Sequence, residues 1–518
     1  MKRRLAIGLV LLGLGLGPRL QAQSSYELLQ TFSGVLNQIR QNYVDSVTSA
    51  QLVHAAIDGM LGSLDPHSYF LSHEQGMRQL AYRSGQLAGT GIILSEIDGL
   101  PTVQAVLPES PAAKAGVASG DRVIQVNDTV VVGIPFQTLQ GRLIGDRGSK
   151  IRIMLERGHR WEPDSFKVTL KFAYLEPHSV TISRMVDRTT GYVRLQQFFS
   201  EAGKEVEDAI RKLRSDGAER LIFDLRGDPG GAVTSAVDIA SIFLPKGSLV
   251  FRTEGRRRSA KQDYITEENG RFTDLPLILL IDEGSASASE ALAGSLQDHD
   301  RSLILGRRSF GKALMQQAFE VPPAGDLVWL TVGHIVTPSG RFIQRRYAGL
   351  EGEQYYSFAG HSGAEQDTSA EFHTDHGRLV RGGGGIVPDV VLPGRVPLPI
   401  WFSVAADSGF HDAISDSVAG SLGNDAGSRS RFTGNPAAWQ AQLVEPFLAR
   451  VRSRLQVSAQ VDSMVAQRIG RILAARVVEV RWGPQALDEF LLQIDADVTA
   501  AMGYFPRVLE LLKGPGDK

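Results

Sequence analysis

Cysteine is absent from the 518 residues. That absence removes disulfides, thiolate metal ligands, a cysteine nucleophile and lipid attachment through an N-terminal cysteine. An excess of one charge is also lacking. Lys and Arg number 55 against 57 Asp and Glu, a formal net charge of -2. That balance argues against a nucleic-acid binder held by a broad basic surface. Long hydrophobic runs are missing too. Residues 5–17 form the first apolar stretch, too short to span a bilayer comfortably, and no later segment is apolar enough to cross one. What remains is ordinary for a soluble globular protein, with 42% hydrophobic and 22% charged residues. The length exceeds one core and predicts roughly three to four domains.

Lys2, Arg3 and Arg4 precede the apolar stretch, Pro18 and Arg19 break it, and Leu20-Gln21-Ala22 offers a small residue for cleavage. This pattern predicts a signal peptide over residues 1–22, hence a periplasmic or extracellular protein, with an uncleaved anchor as the alternative. Cleavage after Ala22 removes four basic residues and takes the net charge from -2 to -6. No membrane span is expected to remain.

Residues 23–82 read as helical, with Leu28, Phe32, Val35, Leu36 and Ile39 at helical spacing. Residues 83–173 change to a strand-and-turn pattern. Residues 174–396 alternate strands and helices, which predicts an α/β core. A polar, glycine-rich insertion occupies 345–384 within it. Residues 397–435 include a stretch rich in Ser, Gly, Asp and Asn and read as a linker. Residues 436–518 read as helical, opening on an amphipathic pattern at Leu443, Phe447, Leu448, Val451 and Leu455.

Three segments carry chemistry. Gly284-Ser285-Ala286-Ser287-Ala288-Ser289-Glu290 lies where a buried strand meets a helix. Helix N-terminal amides lack partners and can stabilise an oxyanion beside a serine nucleophile. A run of N-cap serines is the plainer reading. Arg307-Arg308-Ser309-Phe310-Gly311-Lys312 precedes an apolar stretch, where a desolvated lysine amine can stay neutral and serve as base; a surface lysine is the alternative. Asp224-Leu225-Arg226-Gly227-Asp228-Pro229-Gly230-Gly231 follows a buried strand, and its glycines permit exposed backbone amides.

Together these segments resemble the C-terminal processing peptidases, also called tail-specific proteases, over roughly residues 28 to 395. In that family the nucleophile is the middle serine of a Ser-Ala-Ser-Ala-Ser-Glu run. The base is the lysine of a Phe-Gly-Lys-Gly motif, 25 residues later, which matches Ser287 and Lys312. The resemblance implies that Gln316 orients the amine. It also implies that Gly230 or Gly231, with the amide of Ala288, forms the oxyanion hole, without selecting between the glycines. Residues 64–71, Thr337-Pro338-Ser339-Gly340-Arg341 and Gly385-Ile386-Val387-Pro388-Asp389-Val390 resemble further family motifs. Asp228 departs from the family's usual Asn, and Ala313 from its usual Gly. The implied fold is α/β and multidomain. It has a crotonase/Clp-peptidase-like protease core, an inserted PDZ-like β domain, N-terminal helices and a C-terminal helical region.

Gly89-Thr90-Gly91-Ile92-Ile93 resembles the carboxylate-binding loop of PDZ domains, where backbone amides hold a peptide's C-terminus as it adds to a sheet edge. Residues 136–144 are expected to form the helix across that groove. The implied partners are protein or peptide substrates with apolar C-termini, with a homo-oligomer or an adaptor as further options, and no nucleic acid. No metal or cofactor is required. A Ser-His-Asp hydrolase using His299 or His334 is the first competing reading, although no Gly-X-Ser-X-Gly elbow surrounds Ser287. A catalytically dead binding scaffold is the second. His373, Asp375 and His376 sit in a polar loop and read as a solvated cluster rather than a zinc site.

Overall fold

Leu277–Ile281 places five apolar residues in succession, and all five are fully buried. In the computed structural model this strand lies inside a six-stranded sheet. The order is Val180–Met185, Thr190–Leu195, Arg220–Asp224, Leu277–Ile281, Leu303–Gly306 and Val390–Val391. The first pair is antiparallel and the other four pairings are parallel. The structure describes residues 24–514, except 84–87, 98–99, 108–109, 119–120, 132–138, 140–141, 158–163, 176–177, 349–354, 356–369 and 395. The signal-peptide expectation therefore lies outside the described residues, as do most of the 136–144 helix and much of the insertion.

Side chains alternate across a strand, and both faces of this sheet are covered. Phe223, Leu279, Ile281 and Ile304 pack with the helices Ala202–Ser215, Val233–Phe243 and Ala288–Asp298. Ile222, Ile278, Leu280 and Leu305 pack with Val498, Ala501, Phe505 and Val508 of the helices Ala496–Met502 and Phe505–Lys513. Burial on both faces is what continuous apolar strands demand. A second, antiparallel sheet joins Leu249–Glu254 to Gln262–Ile265 and to Asp326–Val336, which also pairs with Leu314–Val321.

The expected β module is a separate sheet ordered Ile92–Ile97, Leu100–Val106, Arg122–Val126, Lys150–Arg157 and Asp164–Lys171. It has its own core around Val103, Val123, Ile153 and Leu155. The chain divides into the units Met1–Phe70 and Leu71–Lys518. In the first, the helices Ser25–Asn42 and Ser49–Gly62 each open on a capping box, Ser24 with Glu27 and Thr48 with Gln51.

The linker expected at 397–435 is instead helical, with helices at Ile400–Asp407, Phe410–Ser421 and Ala426–Thr433. The polar composition concealed two signals. Asp425 caps the third helix through the N–H of Ser428. Phe402, Ala405, Ala419 and Phe432 join a core with Phe447, Ile469 and Leu473, so burial overrides composition. Among the described residues no helix is long and apolar enough to cross a membrane.

Candidate active site

Three loops leave the C-terminal ends of three adjacent parallel strands. The turn at 225–231 follows Arg220–Asp224, the path to Ser287 follows Leu277–Ile281, and the path to Lys312 follows Leu303–Gly306. Parallel strands end at one edge, the place where open α/β sheets gather ligands.

Ser287 is the N-cap of Ala288–Asp298 and holds φ 58° and ψ -111°. A serine at positive φ is strained, and such strain concentrates at functional positions. Ala288 is the first residue of the helix, so its N–H has no intrahelical acceptor. Glu290, fully buried, anchors the site from the first helical turn. Its Oε2 accepts the N–H of Ser287 at 2.9 Å and of Lys312 at 2.7 Å. Its Oε1 accepts the N–H of Gly311 at 2.6 Å and the Ser309 hydroxyl at 2.5 Å. Burial pushes the Glu290 carboxyl up, and the four donors pull it back toward the anion.

The glycine turn lies against the serine. A methyl group on Gly230 would fall 2.8 Å from the Ala288 nitrogen and 2.9 Å from Ser287 Cβ. The Gly230 N–H is already donated to Asp228 Oδ1 at 2.8 Å. Gly231 bridges Phe198 in parallel fashion, but its neighbours carry the hydrogen bonds. Phe198 donates to the Gly230 carbonyl at 3.1 Å, and Ala232 donates to the Phe198 carbonyl at 2.8 Å. The Gly231 N–H is thus left without a partner among the described residues.

Asp228 is buried, and its Oδ2 has no hydrogen-bond partner among the described residues. Desolvation raises its carboxyl well above the ordinary range, against the Gly230 and Ser289 hydrogen bonds and the Arg194 charge; Asp224 raises it further. Its backbone carbonyl accepts from Ala286 N–H at 2.9 Å and Ser289 Oγ at 3.0 Å.

Ser287, Lys312, Gln316, Gly230 and Gly231 all line one cavity of ≈460 Å3. Gln79 of the helix His73–Arg83 lines it too. The Gln316 amide nitrogen donates to the Leu314 carbonyl at 3.1 Å. Among the described residues no histidine lines this cavity. His299 is occupied elsewhere, with Nδ1 2.7 Å from Asp375 and Nε2 2.8 Å from the Leu249 carbonyl oxygen. His334 lines a different cavity with Arg252 and Lys261. Among the described residues no three His, Asp or Glu side chains gather as a metal site. A larger cavity, ≈1210 Å3, lies among the C-terminal helices around Trp439 and Arg471, and includes none of the predicted site residues.

In the β module, Gly89, Thr90 and Gly91 are buried. The Thr90 N–H donates to Leu143 at 3.1 Å, and Ile92 N–H approaches Thr90 Oγ1 at 3.3 Å. Gly91 holds φ 82°, and a methyl there would strike Ser110 Cβ at 2.1 Å. The Ile93 side chain is outside the described residues.

Sequence reasoning missed two buried carboxylates beside the site. Glu290 was legible as the fourth residue of a Ser-X-X-Glu capping box, but its reach to Lys312 was not. Asp228 was noted as a departure, without the buried environment that gives it meaning.

Family models match the chain in three places: peptidase family S41 over residues 189–353, a PDZ domain over 102–157, and the N-terminal domain of the activating protease CtpB over 18–75. The chain is 32% identical over 326 residues to the carboxy-terminal-processing protease of Bartonella bacilliformis, covering 62% of this chain and 74% of that protein. It is 31% identical over 313 residues to the carboxyl-terminal-processing protease of Synechocystis sp., covering 59% and 72%. Among solved structures, a photosystem II D1 C-terminal processing protease is 24% identical with a TM-score of 0.38, over 72% of this chain and 95% of that one.

Proposed function

We propose, because the chain belongs to the carboxy-terminal processing peptidases of family S41 and is a serine-type peptidase, that Ser287 and Lys312 form a Ser-Lys dyad which cleaves protein substrates. The observation that carries this reading is the shared cavity that Ser287, Lys312 and the glycine turn line.

Neutral Lys312 Nζ takes the proton as Ser287 Oγ attacks the scissile carbonyl carbon. The carbonyl π electrons move to oxygen, and the oxyanion rests on the N–H groups of Ala288 and Gly231. Collapse expels the amine, to which Lys312 returns the proton. Lys312 then takes a proton from water as it attacks the acyl-enzyme carbonyl, and passes that proton to Ser287 Oγ as the ester bond breaks and the new C-terminus leaves. The Gln316 side chain, with its nitrogen tied to Leu314, keeps its amide oxygen as the acceptor for the lysine ammonium.

The PDZ domain supports recognition of substrate C-termini by strand addition beside Gly89, Thr90, Gly91, Ile92 and Ile93. The basic start and apolar run within residues 1–22 support action in the periplasm or outside the cell. Sequencing of the mature N-terminus is expected to begin at Gln23.

The test is cleavage of an unfolded protein substrate. Ser287→Ala and Lys312→Ala are each expected to abolish it. His299→Ala and His334→Ala are expected to leave the chemistry intact. Full activity in Lys312→Ala overturns the dyad.

A further inference from the structure

One carboxylate of the C-terminal helices, that of Asp497, contacts both the glycine-turn arginine and the lysine-loop arginine. Asp497 Oδ2 accepts from Arg226 Nη1 at 2.8 Å and from Arg307 Nη1 at 2.9 Å. Arg226 stands four residues before Gly230, at the head of the glycine turn. Arg307 stands five residues before Lys312, at the head of the lysine loop. Both side chains are nearly buried, at 7% and 8% exposure. Two guanidinium groups therefore share one acceptor atom out of bulk water, where like charges repel strongly unless an anion lies between them.

The remaining contacts fix the geometry of the pair. Arg226 is gripped by Asp224 through Nε at 2.9 Å and Nη2 at 2.6 Å. Asp495 adds contacts to Nη2 at 2.7 Å and to Nη1 at 3.2 Å. Asp495 Oδ1 also accepts the Asp497 N–H at 2.9 Å, which ties the two acids together. Arg307 has fewer options. Besides Asp497 it reaches the Pro393 carbonyl at 3.4 Å, with Glu283 at 3.5 Å and Asp282 at 3.9 Å. Its Nε and Nη2 are buried without hydrogen bonds, so Asp497 is its shortest partner. The Asp497 carboxylate is in turn carried by a helix whose Val498 and Ala501 are packed on the central sheet. Its position is set by the core.

We propose that Asp497 is a positioning residue: through Arg226 and Arg307 it sets the separation of the glycine turn from the lysine loop. This assigns part of the C-terminal region to catalysis. It rests on the Ser287–Lys312 reading. The oxyanion donor and the base sit on different loops, and an error of about 1 Å between them costs on the order of 100-fold in rate.

The experiment compares kcat and KM for an unfolded protein substrate in the full-length enzyme, per folded molecule by circular dichroism. Asp497→Asn keeps the shape and removes the charge. It is expected to lower kcat on the order of 100-fold with KM changed less than about threefold. Asp497→Glu restores the charge one methylene further out and is expected to recover part of the loss. Wild-type kcat in folded Asp497→Asn overturns the proposal, as does a loss that tracks only the folded fraction. Where Asp497→Asn does not fold, Asp497→Glu decides alone: reduced kcat at unchanged KM supports the brace, and wild-type kcat overturns it. Ser287→Ala is run alongside. Residual cleavage there removes the dyad reading, whereas a dead Ser287→Ala beside a fully active Asp497→Asn removes only the brace.

Discussion

Glu290 holds Lys312 by its backbone, accepting its N–H at 2.7 Å on the same Oε2 that accepts the Ser287 N–H at 2.9 Å. One buried carboxylate thereby fixes the backbone of Lys312 relative to that of Ser287, the proposed base and nucleophile, although the two lie 25 residues apart. All four groups that face it are donors. Glu290→Gln places an NH2 against donors at one of the two positions. Leaving a buried donor unsatisfied costs about 1–3 kcal/mol. The variant is expected to lose about that much stability in urea unfolding, and to lose kcat beyond the loss of folded protein. Unchanged kcat would show that the shared carboxylate does not align the pair.

The two glycines of the turn are expected to fail for different reasons when substituted. Gly230→Ala drives a methyl to 2.6 Å from the Ala286 carbonyl and 2.8 Å from the Ala288 nitrogen, at φ 92°. It is expected to crowd the Ala288 N–H, the proposed oxyanion donor, and to lower kcat most. Gly231→Ala brings a methyl within 2.2 Å of the Phe198 carbonyl, at φ 155°, and is expected to destabilise the turn itself. Gly227→Ala is the control. Its φ is 72°, but nothing lies within 4 Å of the added carbon. It is expected to cost only the left-handed backbone penalty of about 1 kcal/mol and to keep its activity. Steady-state kinetics and thermal melting of the three variants distinguish these outcomes.

Much of this was legible in the sequence, and the exceptions have physical causes. The apolar run Leu275–Ile281 read as a buried strand, and the Ser-rich segment after it as the place where that strand meets a helix. The spacing of Ser287 and Lys312 came through family resemblance, because local physics does not distinguish Ser285, Ser287 and Ser289. That the Gly230 N–H is taken by Asp228 while the Phe198 carbonyl takes the Ala232 N–H was not readable, because it is a matter of register across the chain. The helices at 400–433 were hidden because Ser, Gly and Asp suit caps and turns as well as helix ends. Only their packing on Ser463–Trp482 shows the phenylalanines as core. The Asp497 contacts join residues 190 and 271 positions apart, beyond any local pattern.

Asp228 makes the stability of the protein depend on pH in a definite direction. Its buried carboxyl is raised well above its ordinary 3.8, with desolvation the largest cause. Above pH 3.8 the unfolded chain has released this proton while the folded protein still holds it. The folded state then binds more protons than the unfolded state. This group's contribution therefore falls as pH rises, by about 1.4 kcal/mol per unit, until the folded carboxyl ionises. Asp228→Asn does not titrate, and its amide preserves an oxygen for the Gly230 N–H. The variant is expected to match wild type near pH 4 and to grow more stable than wild type toward neutral pH. Urea unfolding at several pH values reads this directly. A difference that does not widen with pH would mean that Asp228 is ionised when folded.

Ser287 stores strain that its own removal should expose. Its backbone, at φ 58° and ψ -111°, lies where only glycine rests without cost, and such positions carry of order 1–3 kcal/mol. Ser287→Ala and Ser287→Gly both delete the hydroxyl, and both are expected to be inactive. They differ only in what they ask of the backbone. Alanine keeps the Cβ and with it the strain. Glycine releases the strain, partly offset by the freedom it gives the unfolded chain. Ser287→Gly is accordingly expected to be more stable than Ser287→Ala by about 1 kcal/mol in urea unfolding. Equal stabilities would mean that the serine backbone is relaxed in solution, and that the N-cap conformation is not held against a steric cost.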